Sequence, residues 1–137
     1  MHKAHRLLRP GGWLALFWNT HPAGDQPAAD LFRTLDEAYA RIAPDLEGLP
    51  RPVDPGDTLP MPEDLAFDPP ITRSYSWTQG YTTATWLDLI RTHSNHMLLD
   101  DTDRERLLAA VAEAIDSHGG SFEYRYLTQL WASRRSR

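Results

Sequence analysis

Leu7-Leu8-Arg9-Pro10-Gly11-Gly12-Trp13-Leu14-Ala15-Leu16-Phe17-Trp18-Asn19 reads as a helix end, a tight turn and a strand. Leu7 and Leu8 close a short apolar helical face. Pro10 cannot continue a helix, and it biases Arg9 away from the helical region. Gly11 and Gly12 supply the positive-φ positions that a reversal needs. Trp13 to Trp18 is apolar at every position. A strand buried on one side only would alternate, so the unbroken run predicts a strand covered on both faces, in the interior of an α/β sheet. Only a short segment precedes it, Met1 to Leu8, with room for about two helical turns at 3.6 residues each. A helix that short is marginal alone and needs the strand to pack on.

Downstream, the hydrophobic spacing predicts three more helices and two more strands. After a polar turn at Thr20–Asp25, Leu31, Phe32, Leu35, Ala38, Tyr39 and Ile42 form one helical stripe. Asp25 suits its N-cap, Pro27 its first turn and Pro44 its end. Ile71 to Trp77 alternates, with Ile71, Arg73, Tyr75 and Trp77 on one face of a strand. Thr82 or Thr83 caps a helix to about Thr92. Asp100 or Asp101 opens another, with Leu107, Leu108, Val111, Ala112 and Ile115 on its buried face and Gly119-Gly120 at its end. A last strand runs from about Ser121 to Trp131. Phe122, Tyr124, Tyr126, Thr128 and Leu130 share one face of it; Leu127 and Trp131 share the other.

Residues 44–70 hold eight of the eleven prolines, which excludes a central strand there. A long irregular segment of this kind is either a lid over a pocket or a surface connection, and Met61 to Phe67 has room for one helical turn. The 137 residues suit a single domain, and a net charge of −5 argues against nucleic acid as the main partner. No apolar run approaches the ~20 residues of a membrane span. No signal peptide is visible. The absence of cysteine excludes disulfides and thiolate metal sites and is compatible with a cytoplasmic location.

Ala4-His5-Arg6-Leu7-Leu8-Arg9-Pro10-Gly11-Gly12, followed by Trp13-Leu14-Ala15-Leu16-Phe17, resembles a segment of the class I S-adenosylmethionine-dependent methyltransferases. In that family it joins the helix after the fourth strand to the fifth strand. Ser76-Trp77, Leu89-Ile90-Arg91-Thr92-His93-Ser94, Phe122-Glu123-Tyr124-Arg125-Tyr126 and Leu130-Trp131-Ala132 are similar to the small-molecule, type 11 branch. The resemblance covers about the C-terminal half of the family's domain. The family's glycine-rich cofactor loop, and the acidic residue that holds the ribose, have no match here. The expected fold is therefore α/β: the C-terminal half of a Rossmann-like methyltransferase domain, with a mixed sheet of about three strands and packed helices. In the family the last strand inserts beside the fifth and runs against it. That implies the order Trp13–Asn19, Ser121–Trp131, Ile71–Trp77. The cofactor implied is S-adenosylmethionine, not bound by this chain alone.

Candidate substrate contacts come from two sources. Ligands of open α/β sheets lie at the C-terminal ends of the strands, which points to Trp18, Asn19 and His21. The resemblance adds Trp77, Tyr81, Thr92 and Ser94 around a small-molecule pocket. A plainer reading makes Trp18 and Trp77 core aromatics and lets Asn19 and Ser94 satisfy local backbone groups. No catalytic residue is identifiable. Methyl transfer requires mainly in-line positioning, so a missing base counts little. His93 and His96, with Asp100 and Asp101 near, lack a third preorganised metal ligand, and no nucleophile-elbow pattern surrounds Ser94. Two functions follow: the substrate-side half of a small-molecule methyltransferase, or a non-enzymatic remnant that associates with itself or another chain. An interior strand without its outer neighbour predicts a homo-oligomer, most simply a dimer.

Overall fold

The computed structural model describes residues 1–20, 27–46 and 65–136. In order come α1 (His2–Leu7), β1 (Trp13–Thr20), α2 (Ala29–Ile42), β2 (Ile71–Thr82), α3 (Thr83–Arg91), a 3₁₀ turn (His96–Leu98), α4 (Asp101–Ser117) and β3 (Ser121–Arg134). The proline-rich stretch lies mostly outside the described residues, as do Asp25 and most of the turn expected at Met61–Phe67. Phe67 itself makes an antiparallel bridge to Arg135.

The sheet has the order β1-β3-β2. This is the expected order, but the expected mixed sheet is corrected: β3 lies between the other two strands and runs antiparallel to both, so no parallel pair is hydrogen-bonded. β1 pairs with β3 from Trp13 opposite Arg134 to Thr20 opposite Leu127. Both long strands extend beyond the expected segments, β2 to Thr82 and β3 to Arg134.

The chain forms two compact units. Unit 1 comprises residues 1–23, 52–77 and 126–137, and here the turn before β1 is tied to the end of β3. The Gly11 N–H donates to the Arg135 carbonyl at 2.9 Å and the Arg135 N–H to the Gly12 carbonyl at 2.8 Å. Of the two glycines only Gly11 has positive φ, at 78°, so the expectation of two such positions is corrected. Gly12 is required for space, since a Cβ there would sit 2.9 Å from the Arg9 carbonyl oxygen. On the other side of β3, Ser133 Oγ donates to the Asp68 carbonyl at 2.6 Å.

β1 alternates, contrary to the expected cover on both faces. Leu14, Leu16 and Trp18 are half-buried, while Trp13, Ala15, Phe17 and Asn19 are exposed. Cross-strand partners share a face, so Leu127, Trp131 and Ser133 lie with the covered residues and are buried. The unbroken apolar run misled because apolar composition prepares a face for burial without supplying the element that covers it.

Unit 2 comprises residues 24–51 and 78–125, a helical core in which α4 packs on α2 and α3. Leu31, Leu35, Ile90, Leu107, Val111 and Ile115 are almost fully buried. Thr82 caps α3 in a reciprocal capping box with Thr85, and the Asp100 side chain caps α4 through the Asp103 N–H at 2.8 Å. α2 begins later than expected. Its N-cap is Ala28, with no side-chain cap, and Pro27 precedes the helix instead of standing in its first turn.

Candidate functional site

The exposed face of the unit 1 sheet brings two of the expected site residues together. Trp77 Nε1–H donates to Thr128 Oγ1 at 2.8 Å, and the Thr128 hydroxyl donates to Asn19 Oδ1 at 2.7 Å. Thr128 is the cross-strand partner of Asn19, which fixes the second bond by register. The Trp77 ring stacks on Tyr126, centroids 4.4 Å apart and planes 16° from parallel. Each donor in this relay is committed, so its direction is set: indole to hydroxyl to amide oxygen. The Asn19 amide nitrogen lies at the open end. No group in the relay changes charge near neutral pH, so it can orient a molecule but cannot exchange its protons. Thr128 was not a candidate from the sequence, although its side lies with Tyr126 by simple alternation; the missing information was the register.

Trp18 lies on the opposite, covered side of β1, across from Gln129. His21 falls outside the described residues. Tyr81, Thr92 and Ser94 belong to unit 2. Tyr81 meets Trp86 edge-to-face at 5.0 Å, and with Gly80, Thr82, Thr85 and Phe122 it lines an open groove of about 560 Å³. The Thr92 hydroxyl closes α3 by donating to the Leu89 carbonyl at 2.6 Å, the local backbone duty such residues perform at helix ends. Ser94 is exposed in the turn that follows. A second groove of about 450 Å³ is lined by Pro27, Asp30, Leu31, His118, Phe122 and Glu123.

Under these grooves sits an aromatic cluster. Phe32, Trp86, Phe122 and Tyr124 meet mainly edge-to-face at 5.1–6.5 Å. Burial, with Tyr81 beside it, pushes the Tyr124 hydroxyl up to about 12, so it stays protonated. His96 is turned inward, 2% exposed, with its Nε2 3.0 Å from the Tyr39 hydroxyl. Burial, then the neighbouring His93, holds the His96 imidazole below its usual range, and burial does the same to His93. The two rings are 5.8 Å apart, and among the described residues no group of three or more His, Cys, Asp or Glu is placed to hold a metal. No protein-family model and no curated protein matches this sequence. No described helix is long and apolar enough to cross a membrane.

Proposed function

We propose that this chain is the C-terminal, substrate-side part of a cytoplasmic S-adenosylmethionine-dependent methyltransferase acting on a small molecule. The observation that carries the reading is the order β1-β3-β2. The last strand inserts between the others and runs against both, and β1 is reached through a helix–Pro-Gly-Gly–strand entry, as the resemblance implies. The open face and outer edge of β1 support it too, because they are where the preceding part of such a sheet would lie. Asn19, Thr128 and Trp77 then position the methyl acceptor. The missing glycine loop and ribose acid leave the 137 residues alone without cofactor binding or activity.

The test is to express the chain together with whatever the reading frame upstream of Met1 encodes and to titrate S-adenosylmethionine by calorimetry. A strand, glycine-rich turn and helix in that frame, with stoichiometric micromolar binding by the extended protein, is the expected result. A stop codon immediately upstream overturns it in favour of the second reading, a non-enzymatic remnant of the fold. The exposed aromatic residues of unit 1 favour that alternative insofar as they suit a binding surface better than a pocket.

A further inference from the structure

Strand alternation places Trp13, Ala15 and Phe17 of β1 on the open side of the unit 1 sheet, together with Leu130, Ala132 and Arg134 of β3. Trp77 joins the same side through Thr128, and Tyr75 and Ile71 follow from it two residues at a time. The large members are far from covered: Phe17 is 76% exposed, Tyr75 54%, Trp13 51%, Ile71 45% and Trp77 39%. With aromatic side chains of ~150–250 Å² each, about half open, these five present roughly 500 Å² before their smaller neighbours are counted. A standard stable interface buries ~800 Å² per partner, and these five residues alone supply somewhat over half of that.

Its relief is specific. Ala15 faces Ala132 across the ladder, so the two small side chains make a hollow. One ridge beside it is Trp13 with Arg134; the other is Phe17 with Leu130. Ridge and hollow are two residues apart along the strand, roughly 7 Å. A surface with a knob next to a matching hole fits a copy of itself turned by a two-fold axis. Relief and area select this occupant rather than charge, because like-charged faces gain nothing by meeting. Arg73 and Arg134 are the charged side chains that the same alternation places on this side. Arg134 Nε donates to the Gly11 carbonyl at 3.1 Å, and Arg73 Nη1 to the Thr72 carbonyl at 2.9 Å. Among the described residues the strand alternation places no carboxylate on the face, although the chain as a whole carries −5.

We infer that the chain forms a two-fold homodimer through this sheet face, each Phe17 seated in the Ala15–Ala132 hollow of the other copy. The two sheets then pack face to face about 10 Å apart, as in a sandwich. This differs from continuation of the sheet across the free edge of β1, which would leave Phe17 in water. It does not depend on the methyltransferase reading, since it concerns the 137 residues on their own.

Sedimentation of the full chain from micromolar to hundreds of micromolar tests it. The expected species is a dimer, twice the 15.6 kDa chain. Phe17→Glu removes the knob, and Ala15→Trp fills the hollow. Each should raise the dissociation constant more than about tenfold, the scale of a central anchor residue. Both positions are exposed in the single chain, and far-UV circular dichroism should be unchanged. Ala15→Trp is the stricter variant, because it adds apolar surface and would strengthen unspecific sticking. A wild-type monomer across the range overturns the inference, whether or not that monomer floats with lipid vesicles. So does a dimer that persists in both variants, which would place the contact on the β1 edge.

Discussion

His96 and Tyr39 show how a single buried pair sets a pH response. The His96 ring is held neutral mainly by burial, and its Nδ1 has no hydrogen-bond partner among the described residues. The unfolded chain, with its imidazole at the usual 6.5, therefore binds protons that the folded chain refuses. Stability from His96, and in the same direction from His93, is complete above pH 6.5 and falls as the pH drops below it. Tyr39 has the opposite sign at the alkaline end. Burial, then Asp36, raises its hydroxyl above the usual 10, so its contribution is present below pH 10 and declines above it. Urea midpoints across this range should trace a plateau with both shoulders. Tyr39→Phe should cost about 1–3 kcal/mol, because it leaves Nε2 buried without its partner. The partnership was not legible in the sequence. His93 and His96 stand out there by spacing, whereas Tyr39 is a distant member of a helical stripe. Gly11 was legible, because a left-handed residue next to proline announces itself. Gly11→Ala should cost about 1–3 kcal/mol by equilibrium unfolding, both for its φ of 78° and for the Cβ placed 3.0 Å from the Arg134 guanidinium.

Helix boundaries were readable wherever a side chain closes the end. Thr82 and Asp100 satisfy orphan backbone donors through their own oxygens, and the structure uses both as caps. Thr82→Ala and Asp100→Ala should each lower stability by about 0.5–2 kcal/mol in urea unfolding, with unchanged slope. Asp100→Asn should recover most of its loss, since the carboxamide oxygen can take the same Asp103 N–H. α2 lacks such a signal. Ala28 offers no acceptor, and its start is decided by the Leu31, Phe32 and Leu35 side chains entering the unit 2 core. The strands divide in the same way. Alternation found the faces of β2 and β3, but not which side would be covered. In β3 the buried positions switch from Tyr124 in unit 2 to Leu127, Trp131 and Ser133 in unit 1, a change of side that no local pattern encodes.

For the whole chain, the legible part was topology and the illegible part was cover. The insertion of β3 between β1 and β2 follows from the resemblance, and the relay Asn19–Thr128–Trp77 follows from that insertion once the register is known. The proposal that this chain alone holds no nucleoside cofactor rests on two motifs that the sequence does not show. Holding a ribose takes a carboxylate at a strand end, and close approach of a backbone to the cofactor takes a glycine-rich turn opening a helix. Pro10-Gly11-Gly12 instead opens a strand, and its backbone groups are spent on Arg135. A ligand that binds only the folded form stabilises it by about 2.7 kcal/mol at a hundredfold excess over Kd, which for a chain of this size is a rise of roughly 10 °C in Tm. Millimolar S-adenosylmethionine should therefore leave the thermal midpoint of the 137-residue chain where it was. A rise of several degrees would mean that the cofactor finds a site in these residues, and would overturn the assignment of cofactor binding to a separate, preceding part of the fold.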